Sequence, residues 1–187
     1  AATTGEIWNL QPEKILGMRD DWVAANPNAT LALMMAVMEA QIWCDDPANK
    51  DEMAAIVGRR QWYNVPVADI VTRIKGEINY GNGRVENRPD LAMKFWRDGA
   101  ASYPWKSLDT WFITENKRWG TLPGDLDTRA LVDATNRSDL WLEAAKGLGL
   151  TPDFGDSRGV ETFFDGKSFD PSNPEAYLDS LSIKAMA

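Results

Sequence analysis

The run Ala29–Trp43 constrains this chain more than any other part of it. Leu31, Leu33, Met34, Met35, Val37, Met38, Ile42 and Trp43 lie at helical spacing and go most of the way round one helix. Asn28 caps it, after a break at Asn26-Pro27-Asn28. A helix apolar on so much of its circumference is expected to be buried between other elements. Its methionines suit an adaptable groove, but the helical period and mixed composition favour core packing.

Helix dominates the rest of the chain. Asp20-Asp21 cap a short helix over Asp20–Ala25, and Asp45-Asp46-Pro47 separates the apolar helix from another over Ala48–Val57. Asn64 caps a helix from Val65 to about Ile74, with Pro66 in its first turn. Further helices are expected over Arg88–Arg97, from Ser107 through Ile113, over Asp127–Thr135 and over Ser138–Leu148. A last one lies within Pro171–Leu181, with Asn173 as cap and Pro174 at its first position. Extended segments are expected only at Ala1–Trp8, Lys14–Met18 and Val160–Phe164. So few strands make no sheet of their own, and a lone strand is marginal in water. The extended residues near Thr3 and Lys14 are therefore expected to need partners from outside this chain.

Composition excludes several functions. The net charge is −8 and the pI about 4.6, which argues against nucleic acid and against an anionic membrane surface. There is no His, so triads of the Ser-His-Asp or Cys-His kind cannot form within these residues. The single Cys44 allows no internal disulfide and no cysteine zinc cluster; it reads as a small buried hydrophobe. No cofactor or metal site is expected, and no catalytic residue is assigned. Asp45-Asp46 and Asp20-Asp21 sit where helix capping explains them. Asp153 and Asp156 lack the remaining ligands of a calcium loop. Tyr80-Gly81-Asn82-Gly83-Arg84 lacks the Lys-Ser/Thr of a phosphate loop and reads as a glycine turn. Arg59-Arg60-Gln61-Trp62-Tyr63 suits base stacking, but reads better as a surface junction. Trp62 and Trp105 suit a cleft or a sugar site; packing between helices is the expected use.

Lys14 stands apart. It follows Pro12-Glu13 and precedes Ile15-Leu16, a pair that reads as buried. A lysine there can project toward a cleft and donate charge-assisted hydrogen bonds to an oxyanion, whose oxygens only accept. Spacing alone favours the plainer reading, a solvated lysine paired with Glu13 or Asp20.

Longer motifs decide more. Ala2-Thr3-Thr4-Gly5-Glu6-Ile7-Trp8-Asn9, then Pro12-Glu13-Lys14-Ile15-Leu16-Gly17, resembles the solute-binding proteins of nitrate/nitrite and bicarbonate ABC transporters. The resemblance continues through Met38-Glu39-Ala40-Gln41, Trp43-Cys44-Asp45, Gln61-Trp62-Tyr63-Asn64-Val65-Pro66, Tyr80–Arg84 and Lys94-Phe95-Trp96. It reaches Ser157–Gly166 and Pro174-Glu175-Ala176-Tyr177-Leu178, so it covers essentially the whole chain.

It implies an α/β fold: the C-terminal portion of a two-lobed type II periplasmic-binding-protein fold, mostly helical in this part with few strands. Residues 1–19 then form the crossover and cleft segment between lobes, and residues 20–187 the helical portion completing the first lobe. The expected partners are a small oxyanion, an ABC transporter membrane permease and the N-terminal half of the same protein. The opening motif, without an initiator Met, reads as continuing from that half. The expected setting is periplasmic, with membrane anchoring through the upstream part as a variant. In such proteins the position matching Lys14 looks like a discriminator: lysine for nitrate, an acidic residue for bicarbonate. Nitrate has no proton to donate and gains from a cation, so Lys14 points to nitrate or nitrite. The competing expectations are a bicarbonate binder and a cytoplasmic nitrate/nitrite sensor that acts on a protein partner.

Overall fold

The computed structural model describes residues 2–185. Helices dominate, and the strands form two small antiparallel hairpins. The chain divides into two compact units: Ala1–Gln11 with Asp20–Ser102, and Pro12–Arg19 with Tyr103–Ala187.

The first unit opens on α1 (Thr4–Ile7), a single helical turn. The strand expected over Ala1–Trp8 is therefore absent, with Ala1 itself outside the described residues. The reason is local. The Thr3 N–H donates to Glu6 Oε2 at 2.7 Å and the Thr3 hydroxyl to the same oxygen at 3.0 Å. This capping pair outweighs the β-preference of Thr3, Thr4 and Ile7. It also holds the Glu6 carboxyl below its usual range, chiefly through the Thr3 N–H. α2 (Asp20–Ala25) follows as expected, with Asp21 Oδ1 accepting from the Trp22 N–H at 2.9 Å.

α3 (Pro27–Asp45) starts two residues before the expected boundary at Ala29. Asn26, not Asn28, stands at its cap, and Pro27 takes the first turn, where its missing N–H costs nothing. The helix buries one stripe, Thr30, Met34 and Met38. This corrects the expectation of burial all round. Leu33 is 42% and Ile42 38% exposed, and Ala29, Ala32, Ala36 and Ala40 are exposed with them. Of the regular elements, α2, the turn after α3 and the following helix pack along it most.

Asp46 caps a 3-10 turn over Pro47–Asn49, accepting from the Ala48 N–H at 2.8 Å, and α4 (Lys50–Val57) continues from it. Buried Lys50 donates to the Cys44 carbonyl at 2.6 Å, satisfying the C-terminal end of α3. Burial pushes the Lys50 pKa down and the Cys44 thiol up. α5 (Val67–Ile74) begins later than expected; Pro66 stands at its cap and Asn64 turns left-handed, with φ 52°, instead of capping.

β1 (Glu77–Gly81) and β2 (Arg84–Asn87) form a hairpin around the glycine turn. Gly81, Asn82 and Gly83 have φ of 87°, 53° and 80°, a run that glycine and asparagine tolerate best. The turn was legible; its strands were not. The helix expected over Arg88–Arg97 is replaced by a 3-10 turn, Pro89–Leu91, and a loop. Arg97 and Asp98 have φ of 46° and 55°, incompatible with a right-handed helix.

In the second unit, Pro12–Arg19 has no regular secondary structure, so the strand expected over Lys14–Met18 is absent. α6 (Lys106–Arg118) packs against α7 (Thr128–Thr135) and α9 (Pro174–Ser180), with α8 (Ser138–Gly147) between the last two in sequence. The caps read from sequence are in place: Asp127 Oδ1 accepts from the Ala130 N–H at 3.0 Å, and Asn173 Oδ1 from the Ala176 N–H at 3.3 Å. The strand expected over Val160–Phe164 shrinks to β3 (Glu161–Thr162), which pairs with β4 (Ser168–Phe169). Phe169, Tyr177 and Leu181 form a core cluster with Trp111 and Phe163 against it. A second aromatic cluster joins Tyr103 to Trp105, Trp141 and Phe154, at centroid distances of 4.9, 5.2 and 5.0 Å.

Candidate functional site

Lys14 lies in the irregular stretch Pro12–Arg19. Half-buried Pro12 and Met18 bracket the exposed residues 13–17. Ile15 is 85% exposed, which corrects the expectation of a buried Ile15-Leu16 pair. Without a strand there is no ladder to hold the segment against a core, and its apolar side chains stay in solvent. The solvated pairing of Lys14 with Glu13 or Asp20 is also absent: no carboxylate among the described residues pairs with its ammonium. A free lysine ammonium on an irregular strap brings three N–H donors and a positive charge, the chemistry an oxyanion requires.

The other sequence candidates resolve into structural roles. The Asp45 carboxylate accepts from the backbone N–H groups of Phe95, Trp96 and Arg97 at 2.9, 2.8 and 3.1 Å. Capping of its own helix boundary therefore falls to Asp46 alone; Asp45 clamps a loop some fifty residues further on in the chain. No spacing signal reports such a contact. Trp105 is packed in the aromatic cluster of the second unit, against Tyr103 and Phe154. Trp62 is 64% exposed, so packing between helices does not describe it among these residues. Tyr63 and the arginines before it are exposed too. The segment holding Asp153 and Asp156 is irregular, and no group of three or more acidic or sulfur ligands suited to a metal occurs among the described residues.

Two polar constellations escaped the sequence reading. Arg158 and Glu161 form a largely buried pair at 2.8 Å, while the Arg158 N–H donates to Ser107 Oγ at 3.1 Å. Glu115 accepts from the Tyr177 hydroxyl at 2.8 Å, from Arg118 at 3.1 Å and from Trp119 Nε1 at 3.2 Å. The i,i+3 spacings of Arg158 with Glu161 and of Glu115 with Arg118 were the available signal. Both tie loops and helices within the second unit. Among the described residues no helix is long and apolar enough to cross a membrane.

Comparison with known proteins follows the same lines. A model of the NMT1-like family matches residues 1–58. The nitrate/nitrite binding protein NrtA of Synechococcus elongatus is 55% identical over 188 residues, covering 100% of this chain and 42% of that protein. The bicarbonate-binding protein CmpA of the same species is 46% identical over 194 residues, covering 98% of this chain and 43% of that protein. The crystal structure of the periplasmic nitrate-binding protein NrtA from Synechocystis PCC 6803 superposes with a TM-score of 0.92 at 54% identity, covering 96% of this chain and 48% of that one. This chain has the fold of the matching part of that binding protein, and spans less than half the length of these relatives.

Proposed function

We propose that this chain, which matches nitrate/nitrite-binding proteins over less than half their length, is a portion of a solute-binding protein that closes on nitrate or nitrite and delivers it to an ABC transporter permease. The observation that carries this reading is the difference in identity over the same span: 55% to the nitrate/nitrite binder against 46% to the bicarbonate binder. The rest of the binding protein, including most ligand contacts, lies outside these residues on this reading. Residues 1–19 serve as the crossover at the cleft, and residues 20–187 complete the first lobe. The setting is periplasmic. Binding and release, not turnover, is the activity, in keeping with a chain that has no His.

Lys14 is the ligand contact this portion supplies. Its exposed, unpaired ammonium supports that role, because a cation already neutralised by a carboxylate has less to offer an anion. Lys14→Glu in the longer protein removes a charge-assisted hydrogen bond and places a like charge beside the anion. The expected loss is about 2–3 kcal/mol, or roughly 30- to 160-fold in Kd for nitrate. Titration calorimetry with nitrate reads it directly. An unchanged Kd overturns the role of Lys14. A wild-type protein that binds bicarbonate and not nitrate overturns the ligand assignment in favour of the bicarbonate relative.

A further inference from the structure

The turn between β1 and β2 carries chemistry that anion binding does not use. Gly81 pairs with Arg84, which leaves Asn82 and Gly83 as a two-residue loop. Both are exposed. A Cβ at Gly81 or Gly83 would meet nothing within 4 Å, so no neighbour among the described residues packs on the loop. No hydrogen bond or ion pair among those residues holds the Asn82 amide either. Asn82 is also the one asparagine of the chain that glycine follows. That pairing matters, because the backbone nitrogen after an asparagine can reach the side-chain carbonyl. Glycine puts no Cβ beside that nitrogen and leaves the backbone free to rotate toward it. Asn79, in β1, is the contrast. Its Oδ1 accepts from the Gly81 N–H at 2.9 Å, and the residue after it is the buried Tyr80.

We infer that Asn82 is a site of spontaneous deamidation in the folded protein. The Gly83 nitrogen attacks Asn82 Cγ, and the new C–N bond closes a five-membered succinimide. The side-chain nitrogen leaves as ammonia, taking the proton that the Gly83 N–H gives up. Water then adds to one of the two ring carbonyls and opens the ring to aspartate or to its β-linked isomer. The exposed loop needs only local rotation to bring the two atoms together. Asp98 and Asp165 precede glycine as well, but a carboxylate is a poor electrophile and has no ammonia to lose. Either product at position 82 takes these residues from a net charge of −8 to −9. The β-linked product also puts one more carbon into the backbone of the loop, which the Gly81–Arg84 pairing cannot absorb without a shift. Arg84 is the first residue such a shift moves; its guanidinium lies 4.0 Å over the Tyr80 ring and pairs with Glu86 at 2.8 Å.

The test incubates the longer protein, natively folded, at mildly alkaline pH, where the Gly83 N–H ionises more readily, and follows it by mass spectrometry of tryptic peptides. Cleavage after Lys75 and Arg84 releases residues 76–84, which hold both Asn79 and Asn82. Fragment ions place the gain of about 1 Da at one asparagine or the other. Deamidation at Asn82 is expected to run at least roughly tenfold faster than at Asn79, the factor one broken hydrogen bond is worth. Asn82→Gln keeps an amide at the turn but would have to close a six-membered ring, and it is expected to bring the gain at that position down to the Asn79 level. Equal rates at Asn79 and Asn82 overturn the inference. So does an Asn82 that stays intact in the folded protein while it deamidates in urea, because the fold then closes the turn to the reaction. The inference does not rest on the nitrate reading, since the reaction uses no ligand. Calorimetry on the same samples keeps the two apart: deamidation without nitrate binding sinks the function alone, and nitrate binding with an intact Asn82 sinks the modification site alone.

Discussion

At the scale of single residues, the buried acids say most about how this chain is held. Asp109, in the first turn of α6, accepts from Asn136 Nδ2 at 2.7 Å, and the same amide donates to the Pro104 carbonyl at 2.8 Å. Burial raises the Asp109 pKa, and the Asn136 hydrogen bond only partly offsets it. A carboxyl with a raised folded-state pKa contributes fully below its unfolded pKa, and the contribution is lost as pH rises through the folded value. Asp109→Asn keeps an acceptor for Asn136 and removes the titration. The melting temperature of the variant relative to the wild type is therefore expected to rise as pH goes from about 4 to about 7. A difference constant with pH sinks this account. Tyr177 shows the same cause in a phenol: burial first, then its hydrogen bond to Glu115, push it up to about 12. The caps at Asp127 and Asn173 were legible because each meets an N–H three residues away. Nothing marks Asp109 beyond its place in the helix expected from Ser107, because Asn136 reaches it only through the fold.

At the scale of elements, the loop after the Pro89–Leu91 turn depends on one side chain of α3. Asp45 accepts from three consecutive backbone N–H groups there. Asp45→Ala leaves those part-buried donors to solvent and is expected to lower stability by about 2–3 kcal/mol, measured by urea unfolding. A loss under roughly 0.5 kcal/mol, typical of a neutral surface change, counts against the clamp. The apolar residues of this segment suggested a helix over Arg88–Arg97. The left-handed Arg97 and Asp98 and the distant carboxylate prevented it. The strand expected at Ala1–Trp8 failed for the opposite reason: Glu6 caps Thr3 from within the segment. β-propensity measures fit to a neighbouring strand, and no strand lies alongside it in the described sheets. The helices with polar caps at both sequence and structure level, α7 and α9, came out where their caps put them.

At the scale of the whole molecule, a portion less than half the length of its relatives is expected to lack a complete binding site. The isolated chain should give no heat with nitrate at concentrations that saturate the longer protein. Saturable binding by the isolated chain contradicts the division of contacts proposed above. The sequence by itself determined the helical character, most helix starts, the low strand content and the resemblance to nitrate/nitrite-binding proteins. It also shows that these 187 residues contain no His. These follow from local spacing, capping chemistry and residue identity. Only the tertiary structure decided that α3 buries one stripe and leaves its alanine face open, that Ile15 and Trp62 stand in solvent, and that Asp45 serves a distant loop. Those depend on what packs against a segment. Hydrophobicity specifies that a face is to be covered, but it is non-directional and does not say by which surface.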